Sequence, residues 1–196
     1  MSENSAKEKL VNLSKESKIK FTLSLFIRAK DLYKLFEKEI EDDNYDYAQR
    51  FKNGSIQLTG FSDYILNRIF TGNELNPADV ERFNTFRSLA PEEDAYSGYQ
   101  AAIAVNIVLI ALNIIKMVKG EKVDVKSTID YILDLINNLK SEAFFVNDPD
   151  GDDEECEKYL EQFYDKEMLV EDRLLGLIDS MSQNDLMVFN AENMIH

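Results

Sequence analysis

Eighteen residues, Ala101 to Val118, read AAIAVNIVLIALNIIKMV and form the most apolar run in the chain. Asn106, Asn113 and Lys116 interrupt it, and Lys119 follows. A membrane-spanning helix needs about 20 largely apolar residues. The interruptions favour a different reading, the buried central helix of a bundle with no membrane role. This helix is expected over about 94–119, starting near Glu93 and ending near Gly120, a residue suited to the left-handed turn after a helix. Ser97, Ala101, Ala104 and Ala111 follow one side of it, with Val108 between them, and such small residues let a neighbouring helix approach closely. Asn106 and Asn113 are seven residues apart on one face. Buried amides need hydrogen-bond partners, so the pair either fixes helix register or lines a polar groove.

The remaining pattern is also mostly helical. SAKEKLVNL suits a short first helix. In Ser14–Asp43, Ile19, Phe21, Leu23 and Leu25 alternate as in a strand, while Ile19, Leu23, Phe26, Tyr33, Phe36 and Ile40 keep helical spacing over a longer window. Length decides for the helix. In residues 44–72, Asn53-Gly54 suits a hairpin turn between YAQRF and SIQLTGF, yet FSDYILNRIF is helical in pattern, and the segment reads as mainly helix. Asn76 and Pro77 mark the start of another helix, which runs through ADVERFNTFRSLA and stops before Pro91. Asp124 can cap the next, which buries Ile129, Ile132, Leu133, Ile136 and Leu139 and leaves Asp130, Asp134 and Asn138 wet. A last helix is expected from about Asp153 to Ser182, kinked near Asp165.

No repeat or linker divides the chain, and its 196 residues suit one domain over 1–196. The two ends, 1–4 and about 184–196, are expected to be flexible or loosely packed. With seven Gly and three Pro the chain is poor in turn residues, which favours helices over a β fold. The expected architecture is all-α, a compact bundle of about six to eight helices around the central apolar helix. One cysteine, Cys156, permits no internal disulfide, and the polar opening MSENSAKEKL lacks a signal-peptide core. A cytoplasmic setting follows.

Charge is uneven. Residues 1–40 carry nine Lys/Arg and six Asp/Glu, a net of +3, against a net of −15 for the whole chain. The stretch 141–172 holds 13 acids and two lysines, a net of −11. Such a surface disfavours nucleic acid and can steer a basic protein partner.

Within that stretch, VNDPDGDDEECE resembles a calcium loop. With Gly151 at the sixth position of an EF-hand, Asp148, Asp150, Glu154 and Glu157 take ligand positions, and Asp152 lies between them. The first position then falls on Val146, which has no side-chain oxygen, so at most weak cation binding is expected. The competing reading is simpler: DPDG is a turn, and Asp152, Asp153, Glu154 and Glu155 complement the partial positive charge at a helix N-terminus. No cofactor is expected.

The catalytic inventory points away from an enzyme. The one histidine, His196, is the last residue, which leaves no Ser-His-Asp or Cys-His arrangement to build and no Glu-x-x-His pairs for a di-metal bundle site. Cys156 sits in a run of carboxylates that repel a thiolate, and reads as an inert thiol. No Gly-rich phosphate loop occurs.

Two stretches resemble a known family. FTLSLFIRAKDLYKLFEKE (Phe21–Glu39), with Arg28 near the middle of a Phe-rich helix, and DAYSGYQAAIAVNIVLIAL (Asp94–Leu112), with Tyr96, Tyr99 and Ala101, resemble the YjaG-like bacterial family, domain of unknown function 416. The likeness spans Leu10 to about Ile178. It departs at Gln100, where the family pattern has Pro, and at Ile103, where it has Asp. The resemblance implies a compact all-α fold and a bacterial origin, and transfers no reaction. Two functions fit these observations. One is a non-enzymatic interaction protein, a signalling adaptor or an inhibitor of a basic partner, with Asp150, Asp152 and Asp153 on its acidic face. The other is a small-molecule or weak cation-binding helical protein using the Asn106/Asn113 groove or the 148–157 loop. Oligomeric state leaves no mark on the sequence.

Overall fold

The computed structural model describes residues 3–43, 46–92 and 94–196. They form ten α-helical segments and two 3-10 stretches, with no strand among the described residues. The α-helices are α1 (Glu3–Asn12), α2 (Lys15–Ala29), α3 (Tyr33–Glu39), α4 (Asp46–Gln49), α5 (Gly54–Phe70), α6 (Pro77–Val80), α7 (Tyr99–Lys119), α8 (Ser127–Asn147), α9 (Asp153–Leu177) and α10 (Gln183–Glu192).

The apolar run is the axis of the fold. α7 is long and apolar enough to cross a membrane by composition, but here it packs on α2, α3, α8 and the 3-10 stretch Glu81–Leu89. Ala104, Ile107, Val108 and Ala111 have no exposure at all. Gly120 closes the helix with φ +76°, the left-handed turn that a side chain disfavours. The start lies later than the sequence suggested. Glu93 is outside the described residues, Asp94–Ser97 are not helical, and Gly98 is the N-cap of a helix that begins at Tyr99.

Three other boundaries differ. The long helix expected over Ser14–Asp43 is broken by a 3-10 turn at Lys30–Leu32, which separates α2 from α3. The hairpin alternative at Asn53-Gly54 is replaced by a helix start. Asn53 takes φ +72° as N-cap of α5, and Gly54 lies against the Tyr33 ring, where a Cβ would overlap it. The helix begun at Pro77, capped by Asn76 Oδ1 accepting from Ala78 N at 2.9 Å, tightens after Val80 into a 3-10 stretch over Glu81–Leu89. The sequence contains the reason. Val80, Phe83, Phe86 and Leu89 recur every third residue, and side chains three apart line up in a 3-10 helix. Phe83 and Phe86 pack edge-on against Phe61 of α5, at 4.9 and 5.2 Å between centroids.

α9 runs as one helix through Asp165, with no break there, and ends at Leu177, short of Ser182. The chain end is packed, not loose. Ser182 and Asp185 form a reciprocal cap for α10. Leu186, Phe189, Asn190 and Ile195 are buried. Glu3 already lies within α1, which packs on α9.

Candidate functional site

The acidic loop resolves into a helix start. Asp152 is the N-cap of α9, its Oδ1 accepting from Glu155 N at 2.9 Å while Asp152 N donates back to Glu155 Oε2 at 3.3 Å. That reciprocal pair satisfies two of the backbone donors a helix end leaves open. Asp148 ends α8 and its carbonyl accepts from Gly151 N at 3.2 Å, closing the DPDG turn. Glu154 pairs with Lys158 one turn along, at 2.7 Å. Asp148, Asp150, Asp152, Asp153, Glu154 and Glu157 are all exposed. Among the described residues no three His, Cys, Asp or Glu side chains converge as metal ligands would. Gly151 has its own explanation. A Cβ there would stand 2.7 Å from Phe144 Cε1, so the ring of α8 needs a glycine beneath it.

Asn106 and Asn113 part company. Asn113 Nδ2 donates to Ser127 Oγ at 3.2 Å and to Thr128 Oγ1 at 3.3 Å, tying α7 to the start of α8. Asn106 instead borders a groove of about 350 Å³ with Pro91, Tyr96 and Ala102. Tyr96 stands between that groove and an aromatic cluster with Phe36, Tyr47 and Phe51, its hydroxyl donating to Asp43 Oδ2 at 3.0 Å. Cys156 is buried, its Sγ against Ser141 Oγ at 3.6 Å.

The densest buried chemistry lies elsewhere. Arg28, carried by α2, is 1% exposed. Its Nη2 donates to Glu167 Oε2 of α9 at 2.5 Å, and its Nε to the Asn193 carbonyl at 2.6 Å. The Arg28 carbonyl in turn accepts from Ile195 N at 3.4 Å. One helical turn earlier, Ser24 Oγ donates to Asn190 Oδ1 of α10. One turn beyond Glu167, Glu171 is fully buried. Five polar atoms of this cluster have no partner: Arg28 Nη1, Glu167 Oε1, both oxygens of Glu171 and Asn190 Nδ2. Burial, and then the charge of Glu167, push the Glu171 carboxyl well above the usual carboxylate range, opposed by Arg28.

Arg28 and Glu167 border a cavity of about 280 Å³ closed on one side by Asn193–His196. Ile136, Phe163 and Val170 supply apolar wall, and Lys140 and Lys166 supply cations. Lys140 Nζ lies 4.8 Å from the centre of the Phe163 ring and donates to the His196 carbonyl. Burial and the neighbouring Lys166 lower its pKa. Of this cluster the sequence singled out Arg28 alone, through the family pattern. A usable signal existed: Glu167 and Glu171 fall on the stripe of Leu160, Leu174 and Ile178 that α9 turns inward.

No family model matches the chain, and no curated protein matches it. Among solved structures it is similar to the crystal structure of a DUF416 family protein from Shewanella baltica OS155. The TM-score is 0.63, over 95% of this chain and 92% of that one, at 16% identity. At that identity the likeness establishes a shared all-α fold. It is the fold implied by the resemblance of Phe21–Glu39 and Asp94–Leu112 to the domain of unknown function 416, and it supports that resemblance.

Proposed function

We propose that the protein is a non-enzymatic interaction protein that receives a basic protein partner on the face formed by the 148–153 turn and the outer side of α9. The exposure of this stretch carries the reading. The carboxylates from Asp148 to Glu157 all face solvent, and one of them, Glu154, has an ion-pair partner among the described residues. A face of one sign raises the association rate of an oppositely charged partner. Val146 and Leu169, 73% and 63% exposed on the same length of chain, add the apolar contacts that interfaces concentrate at their centres.

The test is capture from a cell extract on immobilised protein, comparing wild type with Asp150→Asn/Asp152→Asn/Asp153→Asn. Asparagine caps a helix about as well as aspartate, so the triple variant keeps α9. The expected result is a basic protein retained by the wild type at low salt and released both by the triple variant and by physiological salt, where screening shortens charge interactions to about 8 Å. Equal retention by wild type and variant, or retention of no specific protein, defeats the reading.

A further inference from the structure

We propose that the groove between the first turns of α7 and the 91–98 loop is a binding site for an uncharged nucleoside, held by a base edge that carries a hydrogen-bond donor beside an acceptor. The inference is independent of the acidic face. It rests first on Asn106. That side chain is 8% exposed and borders the groove. Its amide has no hydrogen-bond partner among the described residues, and neither its nitrogen nor its oxygen is sealed from the surface. Asn113, two turns further along α7, already bonds Ser127 and Thr128. A side-chain amide offers an N–H and a C=O side by side. Asparagine pairs in this way with the amino group and ring nitrogen of adenine, and any base with a donor next to an acceptor can meet it likewise.

The surroundings fix the rest of the class. Pro91, Ala101, Ala102 and Val105 give the groove apolar walls. Tyr96 adds an aromatic one, its hydroxyl held by Asp43 at 3.0 Å. None of the described lining residues carries a formal charge, so a charged ligand would lose water there and gain no counter-ion. Gly98 lies eight residues before Asn106, about 12 Å along the helix at 1.5 Å per residue, which leaves length for a base and its sugar end to end. Gly98 is the N-cap of α7, and no side chain caps the helix there. The first N–H groups of a helix have no partner within it, and the hydroxyl oxygens of a sugar suit them. A phosphate on that sugar does not, because Glu39 Oε1 stands 3.2 Å from the place a Cβ would take on Gly98. About 350 Å³ lies at the small end of ligand sites, which suits one nucleoside and excludes a dinucleotide.

The test uses adenosine and uridine as probes, read by isothermal titration and thermal melting on the full chain. Purine riboside and 3-methyluridine, which lack the donor on the base edge, and AMP and UMP, which add a phosphate, are the controls. A ligand of the folded state raises the midpoint as its concentration passes Kd. At least one of the two nucleosides is expected to raise it saturably. Its edge-blocked analogue is expected to bind about tenfold more weakly for want of one hydrogen bond, and its monophosphate more weakly again. Asn106→Leu removes the amide at similar volume and is expected to weaken the nucleoside by about a hundredfold, two hydrogen bonds being lost. Ala102→Leu, at a half-buried position, leaves Asn106 in place and fills the groove; it is expected to abolish binding while the chain still melts cooperatively. The proposal is overturned if neither nucleoside binds saturably, if the edge-blocked analogue or the monophosphate binds as tightly as its parent, or if Ala102→Leu binds the nucleoside unchanged.

Discussion

Arg28 of α2 and Glu167 of α9, 139 residues apart in sequence, meet at 2.5 Å with 1% and 5% of their surfaces exposed. Removing one member of a buried pair strands the other, at a cost of roughly 3–5 kcal/mol. Arg28→Met and Glu167→Gln are each expected to lose stability of that order in urea titrations. The double variant Arg28→Met/Glu167→Met is expected to lose much less than the sum, because no charge is left stranded. Additive losses would show that the two side chains contribute separately.

Glu171 gives the fold a pH dependence of unusual sign. Its folded-state pKa is raised by burial and by Glu167, so the folded state binds a proton that the unfolded state has already released. The neutral-form stability is present below the ordinary carboxylate pKa of about 4.3 and is lost as pH rises through the folded value. Glu171→Gln is expected to melt several degrees higher than wild type at pH 7, and the gap is expected to close towards pH 4. A constant gap across that range would assign the effect to packing.

Gly151 tests what the acidic turn is for. Its backbone lies outside the left-handed region, so a side chain there meets chiefly the Phe144 ring at 2.7 Å, with the Asp148 carbonyl oxygen next at 3.2 Å. Gly151→Ala is expected to cost about 1–2 kcal/mol through overpacking, and Phe144→Leu in the same chain to relieve most of it. Melting curves of the two singles and the double read this directly. Calcium is expected to shift none of them.

The central helix distinguishes two substitutions that look alike in sequence. Ile107 has no exposure, and Ile107→Asp buries an unpaired charge costing several kcal/mol; cooperative unfolding is expected to be lost. Leu112 is half-buried, so Leu112→Asp can turn its carboxylate to water and is expected to lower the midpoint without abolishing the fold. Circular dichroism melts separate the two.

Much of this architecture is legible in the residues. The apolar run 101–118, the cap at Asn76 and the terminator Gly120 are local signals, and the helices they mark are present. The 3-10 stretch is marked only by the apolar residues of Val80–Leu89 recurring every third position. That spacing also suits one face of an α-helix, and the cap at Asn76 and the stop at Pro91 are the same for both. The break between α2 and α3 carries no Gly or Pro, so nothing local announces it. The buried cluster was hidden for another reason. Glu167 and Glu171 sit in a run dominated by solvated acids, and only their register with Leu160 and Leu174 sets them apart. Arg28, the partner of Glu167, lies in a helix far earlier in the chain, and sequence alone does not say which helices face one another.

The ties from α2 to Glu167, Asn190, Asn193 and Ile195 also set an order of events during synthesis. Chains emerge N-terminus first, at about 5–20 residues per second, so α2 is made long before any of these partners. Until residues 167–195 follow, Arg28 has no counter-charge in the fold, and the interior that α7 helps to build remains open to chaperones and to other nascent chains. The native state is thus reached late in translation, and a ribosome stalled within α8 or α9 holds a chain with its most apolar helix already made and its closing contacts still missing.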